Sequence, residues 1–379
     1  MKIAFISNFY NHHQAPLSEA LNTLTEGNYR FISTGMISEE RLSMGWGRED
    51  LPDFVRVAWL SREEAIDCKA FVDEADVVIL GSAPRGWVKD RLRTGKLTFY
   101  YSERLYKEGV PYHKLPVHFL RNLKNIIRHK NLYLLCASAY TAADYAKTLT
   151  FLGKAYQWGY FTALKQYESM DTLIGEKEKN SILWVSRFIE LKHPELPIAV
   201  AKRLRDEGYD FTLSMIGMGE LEEVAKQAVE ANGLSDCVRF LGSMSPEEVR
   251  SYMEKSEIFL FTSDRNEGWG AVLNESMNSA CAVVANRAIG SVPFLLRDGE
   301  NGYTYGDTEE LYRKVKALLD DADTRRRMAK EAYATMVGEW NAENAAKKLL
   351  LLSEQLLKKP KARPFHTGVC SPSGIVREE

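Results

Sequence analysis

A chain of 379 residues is longer than one ordinary core serves, so two domains are the natural expectation. Hydrophobic residues at 45% and charged residues at 27% are the balance of a soluble globular protein, and a net charge of −2 gives no global pull toward nucleic acid or another acidic partner. Five scattered cysteines, with no CxxC pair and no Cys/His cluster, argue against a disulfide framework or a zinc site and read as small core residues.

In chain order, Met-Lys leads straight into IAFIS (3–7), which reads as a first strand rather than a signal peptide. YRFIST (29–34), VVILGS (77–82), LTFYYS (97–102) and LYLLCAS (132–138) are further continuous apolar runs, as expected of parallel strands covered on both faces. LSEALNTLTEG, EEAIDCKAFVDEA and YTAADYAKTLTFLG lie between runs and have helical spacing, so residues 1–170 predict a doubly wound α/β domain. YESMDTLIGEKEKNS (167–181) is polar and without period, and reads as a linker.

The pattern then repeats over 180–338. Strands are predicted at SILWVSRF, FTLSMIG, VRFLG, EIFLFTS and CAVVAN, and helices at PELPIAVAKRLRDEG, GELEEVAKQAVEANG and SPEEVRSYMEK. The last opens with Ser245 as N-cap and Pro246 in the first turn. Helices follow at about 322–338 and at 341–358, and the proline-containing segment 360–379 is expected to be mobile. Two doubly wound domains would bind a ligand outside the carboxyl ends of their strands, by default in a central cleft. No run approaches the ~18 apolar residues of a membrane span, so a cytoplasmic protein is expected.

Chemistry concentrates in the second half. Arg187 and Lys192 lie five apart between a strand and a helix, a planar fork and a point charge suited to a leaving diphosphate. Gly217 and Gly219 follow a strand, but position 222 is Glu222 rather than a third glycine, which argues against a nicotinamide dinucleotide fingerprint. In DRNEGWGAVLNES (264–276), Glu267 and Glu275 flank the turn Gly268-Trp269-Gly270 and the helix start Ala271-Val272.

From SRFIELKHPELPIAVAKRL through FTLSMIGMGELEE and VRFLGSMSPEEVRSYMEKSEIFLFTSDRNEGWGAVLNESM to GENGY, the order and spacing resemble the carboxyl domain of retaining family 4 glycosyltransferases. The resemblance implies a GT-B fold: two Rossmann-like domains facing a cleft, with the helix 341–358 crossing back to the amino domain. It also implies that Arg187 and Lys192 bind pyrophosphate. Glu267 would lie near the donor sugar and Glu275 would hold the ribose hydroxyls, as in the family's E-x7-E motif. The main chain of 270–273 would meet phosphate, while Gly217, Gly219 and Leu241 would border the nucleotide.

Relatives often have Gly-Gly after the first strand. Here the loop is Asn8-Phe9-Tyr10-Asn11-His12-His13-Gln14, which makes Asn11, His12 and His13 candidates on the phosphate or acceptor side. After LTFYYS, Glu103 and Arg104 stand where relatives place a polar residue near the anomeric carbon, and Glu103 is a catalytic candidate. Residues 85–130 carry twelve Lys and Arg against three Asp and Glu, a balance of +9. Within them Leu120, Leu123, Ile126 and Ile127 are expected on one face of a basic amphipathic stretch, either a packing helix or an anionic-membrane contact. No nucleic-acid motif accompanies the charge.

The expectation is a hexosyltransferase that moves a sugar from a nucleotide-sugar, UDP-linked in the simplest case, to a hydroxyl of a glycan or lipid-linked acceptor. Retention is implied by the family, and neither cofactor nor metal is required. An epimerase on the same fold, a noncatalytic binding module and a nicotinamide oxidoreductase are the alternatives.

Overall fold

The structure, a computed structural model, describes residues 1–37 and 50–376. It divides into two units: Met1–Ala163 with Glu339–Glu379, and Leu164–Gly338.

The first unit is built on a seven-stranded sheet. Its strands are β1 (Ile3–Ser7), β2 (Tyr29–Ser33), β3 (Val55–Val57), β4 (Val77–Leu80), β5 (Thr98–Ser102), β6 (Leu132–Cys136) and β7 (Ala155–Gln157). They are ordered β3-β2-β1-β4-β5-β6-β7, and every pairing is parallel. β1, β4 and β6 are buried at every position, because helices cover both faces, and their sequences are correspondingly apolar throughout. The three-residue edge strands β3 and β7 are too short to stand out as apolar runs. Helix Arg62–Glu74 is capped by Ser61, whose hydroxyl accepts from Glu64 N, and it buries Cys68 and Val72 against Ala4, Ile6, Val78 and Leu80. Helix Ala342–Lys358, capped by Asn341, packs on helix Ala15–Leu24.

Two expectations for this unit are corrected. The helix predicted over YTAADYAKTLTFLG stops at Ala146. Thr148 and Thr150 direct their hydroxyls back to Tyr145 O, and Leu149 and Phe151 have positive φ, so the side chains divert the backbone from the helix. The segment expected to be a mobile tail is instead bound over its described part: Gln157 N donates to Ser371 O, Cys370 N to Gln157 O and Tyr156 Oη to Ala362 O. Val369 and Cys370, within it, are fully buried. The cysteine expectation holds throughout, since all five are free and buried.

The second unit repeats the design with β8 (Glu178–Val185), β9 (Thr212–Ile216), β10 (Val238–Phe240), β11 (Ser256–Phe261), β12 (Ala282–Asn286) and β13 (Tyr303–Tyr305). Its sheet is ordered β10-β9-β8-β11-β12-β13, again all parallel. Trp184, Ile198, Leu204, Met215, Leu260, Val284 and Val315 are among the residues of its core. Helix Pro246–Lys255 opens with a reciprocal capping box between Ser245 and Glu248. The boundary falls before the polar segment read as a linker, because that segment is bonded into this unit. Lys165 and Asn278 exchange two hydrogen bonds of 2.8 and 3.0 Å. The buried Lys177 ammonium donates to the carbonyls of Met253, Glu254, Ser256 and Ser279, all within 3.0 Å.

In both sheets the strand order reverses direction beside the first strand, between β1 and β4 and between β8 and β11. Loops leaving the carboxyl ends of two such neighbours diverge and open a crevice for ligands.

Candidate active site

The crevice of the second sheet is framed by the loop after β8, which carries Arg187 and Lys192, and the loop after β11, which carries Glu267. These two loops are clasped together. Asp264 N donates to Leu191 O at 3.0 Å, and Thr262 Oγ1 donates to Lys192 O at 2.6 Å. Thr262 is in turn fixed by the buried indole of Trp184 at 2.8 Å. His193 bridges both sides, with ring nitrogens 2.7 Å from Glu195 and 3.5 Å from Asp264. Its hydrogen bond to Glu195 raises its pKa against the effect of burial, and the charges of Glu195 and Asp264 add to the rise. The Lys192 ammonium is ion-paired with Glu267, whose same oxygen accepts from Ser263 Oγ at 3.1 Å. Arg187 is solvent-exposed and has no ion-pair partner among the described residues. The arrangement therefore holds one exposed guanidinium and one ammonium, the latter pre-aimed by a carboxylate, at the mouth of a parallel sheet.

Glycine shapes this mouth at three positions. Gly217, after β9, has φ +138°, and a Cβ there would lie 1.8 Å from Ser186 O, the residue before Arg187. The β9 and β8 loops consequently touch backbone to backbone, with Ser186 N on Ile216 O and Phe188 N on Met218 O. A Cβ at Gly219 would lie 2.4 Å from Phe188 O, and Leu241 N, just past β10, is tied to Met215 O at 2.9 Å. Gly270 has φ +78°, and a side chain there would strike the ring of Phe261. Leu273 N is already bonded to Gly270 O, so within the expected phosphate-facing stretch 270–273 only the N–H groups of Gly270, Ala271 and Val272 lack an acceptor among the described residues. The Trp269 side chain is a core anchor rather than a ligand contact: it is 1% exposed, and its indole donates to Asn274 at 2.9 Å. Gly268 beside it is buried as well, which leaves the main chain as the part of this turn available to a ligand.

Glu275 lies on helix Val272–Asn278. Burial pushes its pKa up to about 7, with the Arg250 charge acting in the opposite sense. Arg250 also donates to Asn278 Oδ1 at 2.8 Å and Ser279 Oγ at 3.3 Å, and so fixes the end of the helix that holds Glu275. Arg250, Ser263 and His193 escape a reading of the sequence: each is an isolated polar residue whose role appears only when distant segments meet.

In the first unit the candidates separate by role. Asn11 is buried and its carboxamide accepts from His13 N, so it shapes its own loop ahead of helix Ala15–Leu24. Arg104 is corrected from a ligand candidate to a structural cation. Its side chain is 1% exposed, lies 3.8 Å from Asp144 and stacks its guanidinium over Tyr140. Asp144 also receives Leu105 N, Tyr106 N and Lys147. Glu103 accepts from Tyr160 Oη at 2.5 Å and from Lys107 Nζ at 2.7 Å. His12 and His13 are neighbours, with ring centroids 3.9 Å apart, and His13 lies 6.2 Å from the Tyr160 ring. Burial, then the adjacent His12, pulls the His13 pKa down to about 3, which keeps that imidazole neutral. Glu103, Tyr160 and His13 thus form a polar cluster over the carboxyl ends of β1 and β5.

The charge of segment 85–130 is also redistributed. Arg91 is buried and donates to carbonyls of Ala75, Asp76 and Leu97, so with Arg104 two of the twelve cations serve the interior. Leu120 and Leu123, expected to share an apolar face with Ile126, are exposed while Ile126 is buried. A π-helical turn, Leu123–Ile127, rotates them apart. No helix among the described residues is long and apolar enough to cross a membrane, and no group of three or more metal-binding side chains occurs among them.

Residues 168–335 match the family Glycosyl transferases group 1. The match spans nearly all of the second unit. Proteins similar to this chain include the amylovoran biosynthesis glycosyltransferase AmsK of Erwinia amylovora, 29% identical over 46% of this chain and 44% of that one. Another is the alpha-D-kanosaminyltransferase of Streptomyces kanamyceticus, 30% identical over 46% of this chain and 45% of that one. The chain thus spans less than half the length of these relatives. Over 94% of its length it superimposes on all of Anabaena HepE, a structure solved with UDP, with a TM-score of 0.67 at 15% identity. The fold is GT-B.

Proposed function

We propose that this protein is a hexosyltransferase that moves a sugar from a nucleotide-sugar, in the simplest case a UDP-sugar, to a hydroxyl of a glycan or lipid-linked acceptor with retention at the anomeric carbon. The observation that carries the reading is the clasp of the β8 and β11 loops, which sets Lys192 against Glu267 beside the exposed Arg187. It lies within the segment that matches the family. HepE with UDP and the polysaccharide role in the name of AmsK support the donor and acceptor classes by likeness.

In this mechanism the bond between the anomeric carbon and the diphosphate oxygen breaks, and the electron pair leaves with the diphosphate. Arg187 and Lys192 stabilise the charge that develops there. The acceptor oxygen attacks the same face of the sugar and passes its proton to a departing phosphate oxygen, so no enzyme nucleophile is needed. Glu267 orients Lys192 and exchanges part of that ion pair for sugar hydroxyls, while ionised Glu275 accepts the two hydroxyls of the ribose. Glu103 would orient the acceptor. The two cations take the place of a metal ion, and turnover is expected to persist in EDTA.

The deciding experiment is a panel of UDP-, GDP- and ADP-sugars read by thermal shift, because a ligand that binds only the folded form raises its melting temperature. It is followed by mass and NMR analysis of products with soluble glycan acceptors. Stabilisation by a UDP-sugar and an axial-to-axial or equatorial-to-equatorial product support the proposal. Stabilisation by no nucleotide sugar, or inversion, overturns it.

A further inference from the structure

The first unit carries a helix that leaves several large apolar side chains in solvent. Helix Leu115–Asn122 is anchored to its unit in part by polar residues. Asn122 is buried and donates to Thr148 Oγ1 at 3.1 Å, and His118 stacks at 3° on the largely buried Tyr106, with its Nδ1 3.3 Å from the phenol oxygen. Leu115 and Phe119 are half-buried, but other large apolar residues face solvent. Tyr112 is 74% exposed, Val117 66%, Leu120 64% and Leu123 45%. Isolated exposed leucines are ordinary, but four large apolar side chains within a dozen positions form a patch.

The charge around the patch is of one sign. From Gly109 to Ala143 the chain contains no Asp or Glu. Lys114, Arg121 and Lys124, interleaved with the apolar residues, are all exposed, and none has an ion-pair partner among the described residues. The whole chain is nearly neutral, so this is a local asymmetry rather than a property of the composition. Among the described residues no salt bridge blunts this face, while the same unit forms them elsewhere, as at Arg56 with Glu64 and Lys69 with Asp73.

We infer that this face, Tyr112 to Lys124, docks the protein on an anionic phospholipid bilayer. The apolar side chains enter the boundary between headgroups and acyl chains, and the three cations pair with lipid phosphates. Each feature excludes a competing occupant. A nucleic acid would use the cations but has no place for the leucines. A second copy presenting the same face would set like charges against one another. An anionic bilayer satisfies both the charge and the apolar surface. The inference goes beyond the transferase reading and does not depend on it, since it concerns a surface of the first unit.

The test is flotation of the full chain with vesicles of phosphatidylcholine alone and of phosphatidylcholine with phosphatidylglycerol, at low and at physiological salt. The expected result is binding to the mixed vesicles that weakens with salt as the charges are screened over about 8 Å, and little binding to phosphatidylcholine alone. Lys114→Gln, Arg121→Gln and Lys124→Gln together are expected to weaken binding about a hundredfold, at roughly fivefold per cation. Val117→Glu with Leu120→Glu is expected to abolish it. Both variants should keep the wild-type melting temperature and the thermal shift with nucleotide, which read the fold and the second unit independently. Equal binding to neutral vesicles, no binding of the wild type at low salt, or undiminished binding of the glutamate variant overturns the inference. A concentration-dependent dimer that the glutamate variant dissolves overturns it in favour of self-association.

Discussion

The two units share one design and use it differently. Each is an all-parallel sheet whose order reverses beside its first strand. In the second unit the loops at that reversal meet backbone to backbone, with glycine at the contact, and their cations sit at the surface or in a short ion pair. In the first unit the corresponding loop, Asn8 to Gln14, contains no glycine and fills the space with aromatic and imidazole rings. Two of its cations are drawn inward: Arg91 ties carbonyls together and Arg104 binds Asp144. The same residue type therefore reads as a ligand-holding group in one unit and as an internal strut in the other. Backbone approach decides which.

The comparison is broken most directly at Gly217. An alanine there requires a Cβ 1.8 Å from Ser186 O at a φ of +138°. The β8 and β9 loops must separate, at a cost of about 4 kcal/mol, which places the substitution among the severe ones. Chemical denaturation should show the second unit melting early. An alanine in place of His12, in the glycine-free loop of the first unit, should change stability by less than about 1 kcal/mol. If both variants are equally stable, the contrast between the loops has no energetic content.

Next in size is Lys192→Ala. The bond from Thr262 reaches the main chain of Lys192 and survives the change, as does the contact of Ser263 with Glu267. The fold should hold, while loss of one stabilising charge is expected to lower kcat by about 10²–10³. Rates near wild type would remove Lys192 from the chemistry. In the first unit, Arg104→Met should do the reverse. It strands Asp144, 1% exposed, with only Lys147 and two amides. A loss of about 3 kcal/mol of stability is expected, with nucleotide binding by the folded fraction unchanged in calorimetry.

How far the sequence discloses this molecule follows the same division. Strands buried on both faces, such as β1, β4, β8 and β11, announce themselves as apolar runs, whereas β3, β7 and β13 are three residues long and carry no period. Arg187, Lys192, Glu267 and Glu275 stand out as candidates through their order and spacing, and the structure brings Lys192 and Glu267 into contact. Arg104 is misread because a lone cation after a strand looks the same whether it meets solvent or a buried Asp144, forty positions away in the chain. The outward turn of Leu120 and Leu123 is invisible for a different reason. An amphipathic pattern records which residues share a side but not which side faces the core, and the π-turn at Leu123 alters the phase.

The smallest effect separates stability from binding at a single carboxylate. Glu275 has its pKa pushed up to about 7 by burial. An acid whose folded pKa lies above its ordinary value binds more protons folded than unfolded, so the ligand-free protein loses stability as pH rises from the ordinary carboxylate range to about 7. Ligand affinity should move the other way. A ribose diol donates two hydrogen bonds, which the ionised carboxylate accepts and the protonated acid accepts poorly, so nucleotide affinity should rise as pH rises through 7 and then level off. Glu275→Gln removes the titration. The variant should be more stable than wild type at alkaline pH when free, and should bind nucleotide about tenfold or more weakly there, the worth of charge-assisted hydrogen bonds of about 1.5–3 kcal/mol. Its affinity should be flat across pH 6–8 in isothermal titration calorimetry. A variant that keeps the wild-type pH profile would move the titrating group elsewhere, with His193, whose pKa is raised mainly by its bond to Glu195, the next residue to test.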